Sequence, residues 1–172
     1  MKAIKAVLYL LVVTVVSVSC GSTEFEVSGA NLVKNGDFEN NLDDWNVQAA
    51  NAEMFTVSTL LKVSGAKSLR VRDCEWQGVV SQIIQVEPGT NYLLTVSCIV
   101  SRDEDAPYGV LIKVVDALPE TLKFFEINAG GIGWKSYRES FYSGDKTSVT
   151  ITINGNKSEF YADGISLYKI IK

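Results

Sequence analysis

The side chains most often used for turnover are scarce in this chain, and those suited to holding a ligand are not. Histidine is absent, which removes a Ser–His or Cys–His relay, a histidine acid–base pair and a His-ligated zinc site. Twenty Asp and Glu residues are present, so counting alone does not exclude the two placed carboxylates a glycosidase needs. However, no E-x-D-x-x-E strand pattern, no G-x-S-x-G turn and no Gly-rich phosphate loop occurs. What remains is a binder's set. Trp76 and Gln77 sit in the polar context "CEWQG", next to Glu75 and directly after "SLRVR", where Arg70 and Arg72 share one strand face. Tyr108 follows the acidic run "SRDEDAP". Ring faces beside hydrogen-bond donors suit recognition rather than bond cleavage. The plainer reading of each aromatic is packing, and exposed strand arginines usually do nothing specific. Asp103, Glu104 and Asp105 read as a solvated loop tip.

The front of the chain sets the context. Lys2 and Lys5 precede an apolar run from Ala6 to Val16, and small residues lead to Cys20. That is the layout of a secretory signal peptide, too short for a spanning helix. The ending "SVSC" resembles a bacterial lipobox, in which the cysteine becomes the acylated first residue, although Ser17 stands where Leu or Val is usual. The alternative is an ordinary signal peptide cut near Cys20. The expected organisation is therefore a signal peptide over 1–19, a lipidated tether over 20–30 and one domain over 31–172. The lipid anchor would hold an exported domain in the bacterial cell envelope, on the periplasmic or surface face of the outer membrane. Without residues 1–19 the chain has 14 basic and 20 acidic residues, which argues against a nucleic-acid partner. Cys74 and Cys98 remain, either as a disulfide, which export permits, or as two separate thiols.

The elements that must position these residues are strands. "SLRVR" alternates with the period of a half-buried strand. "VVSQIIQV" and "NYLLTVSCIV" flank the Pro-Gly turn "EPGT", and "YGVLIKVVDA", "LKFFEI", "SYRESFY" and "SVTITING" follow. In the last, Val149, Ile151 and Ile153 should be buried and Ser148, Thr150 and Thr152 wet. Of the adjacent Phe124 and Phe125, one should face the core. Many short strands at this spacing predict an all-β sandwich, or jelly roll, of two antiparallel sheets.

Four patches then acquire a common meaning: "NLVKNGDFENNLDDW", "GAKSLRV", "VEPGTNYLLTVS" and the closing "KSEFYADGISLYKI". Their order and intervals, over residues 31–170, resemble the galactose-binding-like jelly rolls of carbohydrate-binding module families 4, 9 and 22. The resemblance implies that "NLVKNGDFE" is the first strand and that Trp45 is a core residue. It also implies that Trp134 is a structural residue opening a late strand. It implies a structural calcium ion held by Glu39, the main chain of Asp37 and Lys67, and Asp163. Calcium takes six to eight hard oxygens, which such a set would begin to supply. It also implies a polysaccharide or oligosaccharide ligand, with Trp76 stacking and Gln77, Arg70, Arg72 and Tyr108 as further contacts. The alternative is the same jelly roll used as a protein-interaction or structural module in an envelope assembly.

Overall fold

The computed structural model describes residues 25–50, 52–72, 78–100, 110–115, 121–127, 133–155 and 159–171. These carry eleven strands and one short 3-10 turn, Ala52–Met54. The strands are β1 (Val27–Ser28), β2 (Asn46–Gln48), β3 (Phe55–Ser58), β4 (Ser68–Val71), β5 (Val79–Gln85), β6 (Asn91–Val100), β7 (Val110–Val115), β8 (Thr121–Ile127), β9 (Lys135–Tyr142), β10 (Ser148–Gly155) and β11 (Phe160–Ile170). One sheet runs β3-β4-β11-β6-β9, with β1 also on β11, and the other runs β2-β5-β10-β7-β8. Every pairing is antiparallel. The expected two-sheet sandwich is the observed architecture.

Period-two patterning explains the core. On β10, Val149, Ile151 and Ile153 are buried, while Ser148, Thr150 and Thr152 between them are half-buried on the opposite face. Leu69 and Val71 of β4, Tyr92, Leu94, Val96 and Cys98 of β6, and Phe160 and Ala162 of β11 close the same core from the other sheet. Apolar side chains that meet between two sheets leave water together, and this burial is the main stabilising term.

The segment expected to be the first strand is different. Residues 31–44 form a train of turns, and the first strand among the described residues is β1, within the stretch read as tether. Val27 pairs with Ile170, and the Glu26 carbonyl accepts from Ile171 N at 2.9 Å. The reason lies in the backbone: Asn35, Phe38, Asn41 and Asp44 all have positive φ, from 48° to 67°, which no extended strand allows. Asn and Asp tolerate that region well; Phe38 does not, and tertiary packing must hold it there. Its ring is fully buried and stacks on Trp45 at 5.4 Å between centroids. Trp45 is thus a core residue, as expected, and its indole N–H donates to the Asn35 carbonyl at 3.0 Å.

Side chains strap this train to both sheets. Asn31 Oδ1 accepts from Val33 N and Leu167 N. The buried Gln82 of β5 accepts from Lys34 N and donates to the carbonyls of Lys34 and Asp44. Gly36 packs so closely on β11 that a Cβ there would collide with the Ile165 carbonyl oxygen.

Candidate functional site

The strand ends come first. At one end of the sandwich Val71 of β4, Phe160 of β11 and Val100 of β6 lie in register, as do Gly155 of β10, Val110 of β7 and Ile127 of β8. Residues 73–77, 101–109, 128–132 and 156–158 fall between consecutive strands in the sequence and are not described. Trp76, Gln77, Tyr108 and Cys74 belong to those segments and lie outside the described residues, as do the side chains of Phe124 and Phe125. Trp134 is half-buried just before β9.

Arg70 and Arg72 are described, and they stand at this same end on the outer face of the β3-β4-β11-β6-β9 sheet. Because Leu69 and Val71 face the core, the alternating Arg70 must face out. There it makes a two-point bond to Glu159, Nε to Oε1 at 3.1 Å and Nη2 to Oε2 at 2.8 Å. Arg72 Nε lies 3.7 Å from the same carboxylate. The Tyr161 hydroxyl donates to Glu159 Oε1 at 2.8 Å, and its ring lies under the Arg70 guanidinium, 5.8 Å from ring centroid to Cζ. The hydrogen bond from Arg70 holds the Glu159 carboxyl below its ordinary range, and burial with the Glu159 contact raises the Tyr161 phenol. Both charged partners are partly exposed, so the pair orients more than it stabilises, at about 1 kcal/mol or less. Two guanidiniums against one carboxylate leave a surface rich in donors. Glu159 and Tyr161 were not anticipated as partners here. The odd-even register of the closing "EFYADG" run was the available signal.

A concave surface lies on the other sheet. An open groove of about 450 Å³ runs along the edge between β2 and β5, lined by Leu32, Lys34, Asp44, Asn46, Ser81, Ile83 and Gln85 among others. Ile83 in its lining is 71% exposed. Charged residues of both signs stand beside apolar ones there, and no sequence pattern announced them.

Two of the residues expected to hold calcium, Glu39 and Asp163, meet the loop over 59–67, which carries a third, Lys67, but they meet it as acceptors of its N–H groups. Asp163 is fully buried: Oδ2 accepts from Val63 N at 2.8 Å and Ser64 N at 3.1 Å, and Oδ1 from Gly164 N at 2.7 Å. Glu39 Oε1 accepts from Ala66 N at 2.7 Å and Lys67 N at 2.8 Å. These two bonds, Lys67 first, pull the Glu39 carboxyl below its ordinary range. The Lys67 ammonium donates to the Glu39 carbonyl at 2.9 Å and to Asn41 Oδ1 at 3.1 Å. Asp37 is exposed, and its Oδ1 faces Glu39 N at 3.4 Å. Among the described residues no group of three His, Cys, Asp or Glu side chains is arranged to hold a metal. A divalent ion needs six to eight oxygens turned toward it. Here Glu39 Oε1 and both oxygens of Asp163 are turned to N–H donors, and the Lys67 ammonium stands on the Glu39 carbonyl and Asn41 Oδ1.

Cys98 is a free, buried thiol on the core face of β6, and burial drives its pKa far up. It offers no thiolate nucleophile at neutral pH.

Comparison with solved structures gives the same architecture. A CBM61 module in complex with β-1,4-galactotriose superposes with a TM-score of 0.63 at 17% identity, covering 82% of this chain and 99% of its own. A family 16 carbohydrate binding module gives 0.60 at 19% identity, covering 80% and 99%. The CBM22-1 xylan-binding domain of Paenibacillus barcinonensis Xyn10C gives 0.61 at 14% identity, covering 84% and 97%. At these identities the likeness is one of fold. No curated protein sequence matches the chain. The family model described as "Carbohydrate binding domain", of the CBM 4/9 type, matches residues 30–159, well over half of the chain, and the protein belongs to that family.

Proposed function

We propose that the protein binds a polysaccharide or oligosaccharide without catalysis, as the globular head of an exported lipoprotein. The observation that carries this reading is the family match over residues 30–159, on a fold shared with modules solved with galactotriose or named for xylan binding. In this reading Trp76 stacks on a pyranose ring at the loop end, Gln77 and Tyr108 flank it, and the donors left on Arg70 and Arg72 meet hydroxyls. The anchor is the acyl chain on Cys20, and the protein stays in the cell envelope. Cys20 lies outside the described residues, among which no helix is long and apolar enough to cross a membrane.

One observation favours the other reading, a module for protein contacts in an envelope assembly. The loop over 59–67 exposes Leu60 at 74%, Val63 at 50% and Leu61 at 40%. Affinity electrophoresis of the purified protein against a polysaccharide panel separates the two. Retardation by a glycan, lost in Trp76→Ala, supports the first reading and its site. A folded protein retarded by no glycan moves the function to protein partners.

A further inference from the structure

We propose that Lys67 is a built-in cation that closes the first segment of the domain onto its 59–67 loop, so that the fold needs no calcium at this point. The junction joins residues far apart in sequence. Glu39 comes from the turn train, Lys67 from the loop before β4, and Asp163 from β11. The buried Asp163 carboxylate needs hydrogen-bond donors, and Glu39 takes its own from the next residues of the same loop. Backbone N–H groups supply part of that: the loop turns four of them, from Val63, Ser64, Ala66 and Lys67, onto the two carboxylates.

Lysine supplies the rest. Lys67 is bound to Glu39 from both of its own ends, its backbone N–H on the carboxylate and its ammonium on the carbonyl. The ammonium reaches on to Asn41 Oδ1, so it bridges the turn train at two points. Lys62 adds a second positive charge that acts on Glu39 and is steered by the Thr59 carbonyl at 3.0 Å. The Lys67 ammonium thus supplies positive charge at the junction without a metal ion. At about 4 Å, a lysine and a divalent cation also repel by about 2 kcal/mol even in bulk water. The loop is shaped for this closure. Gly65 has a φ of +59°, and a Cβ there would run into Glu39 Oε1. Only glycine lets the backbone wrap the carboxylate so tightly.

The test is thermal unfolding of the purified full chain, wild type and Lys67→Met, each in EDTA and in about 10 mM calcium. That concentration exceeds the roughly millimolar dissociation constants of weak extracellular calcium sites. The expected result is one wild-type melting temperature in both solutions, and a Lys67→Met value lower by about 2–6 °C in both. A wild-type melting temperature that rises with calcium and falls in EDTA overturns the proposal. A Lys67→Met variant that melts like the wild type overturns it as well. If that variant does not fold, the wild-type calcium and EDTA arms still decide the metal question, and Lys67→Arg, which keeps the charge, should restore a folded protein.

Discussion

Asp163 illustrates how one residue can be legible in type and misleading in role. Its place in "YADGI" marks it as important, yet what it does depends on three backbone N–H groups that the loop and its own bulge bring to it. Asp163→Ala removes the charged acceptor of three part-buried N–H groups, and a hydrogen bond to a charged group contributes about 1.5–3 kcal/mol, partly offset by water and relaxation. We expect a loss of about 3 kcal/mol in urea unfolding at neutral pH. Acid dependence follows from the two lowered carboxyls. Glu39 and Glu159 both have folded pKa values below 4.5, Glu39 through the N–H groups of Lys67 and Ala66 and Glu159 through Arg70. A depressed carboxyl adds stability that is present above its unfolded pKa and disappears as pH falls through the folded one. Melting temperature should therefore fall as pH drops from about 4.5 toward 2, and less steeply in Glu159→Gln. An equal slope in the variant would show that Glu159 contributes nothing to acid sensitivity.

At the scale of elements, the strands were plain in the sequence and the turn train was not. β4, β5, β6, β9 and β10 fall on the runs whose alternation marked them, because apolar-polar alternation and a two-sheet core are the same constraint. Residues 31–44 carry no period, and their form comes from Asn35. Its Nδ2 donates to the carbonyls of Asn41 and Asp43, its Oδ1 accepts from Asn40 N, and its φ is +48°. Local amide-to-backbone bonds of this kind compete with strand formation, and here they prevail. Gly36 reports on the same element. Gly36→Ala forces a Cβ into the Ile165 carbonyl, against immovable backbone, whereas Gly144→Ala meets nothing within 4 Å and carries only the strain of a φ of +60°. Chemical unfolding should show Gly36→Ala losing several-fold more stability than Gly144→Ala. Comparable losses would mean that the turn train is not pressed against β11.

For the whole molecule, the predictions concern where the domain is and what it holds. If Cys20 carries the anchor, Cys20→Ser should move the protein from the membrane fraction to the soluble fraction of the exported pool, read by fractionation and blotting. If Trp76 stacks on sugar, Trp76→Ala should weaken binding of a retarding glycan about tenfold, the equivalent of roughly 1.4 kcal/mol. Melting temperature should stay unchanged, which separates lost contact from lost fold.

By itself the sequence determined the class of the molecule. Missing histidine excluded several chemistries and period-two runs dictated strands in a two-sheet sandwich, while the sugar-binding reading came from the resemblance of four patches to a known family. These are properties of residue type and short-range spacing, which survive without knowledge of what meets what. Tertiary structure alone decided the partners: that Arg70 faces Glu159 rather than open solvent, that a groove opens beside Ile83, and that Glu39 and Asp163 meet backbone N–H groups and a lysine. Whether an acid binds a metal or an amide depends on which donors the fold carries to it from tens of residues away. Those distances are set by sheet register and loop closure, and no local pattern encodes them.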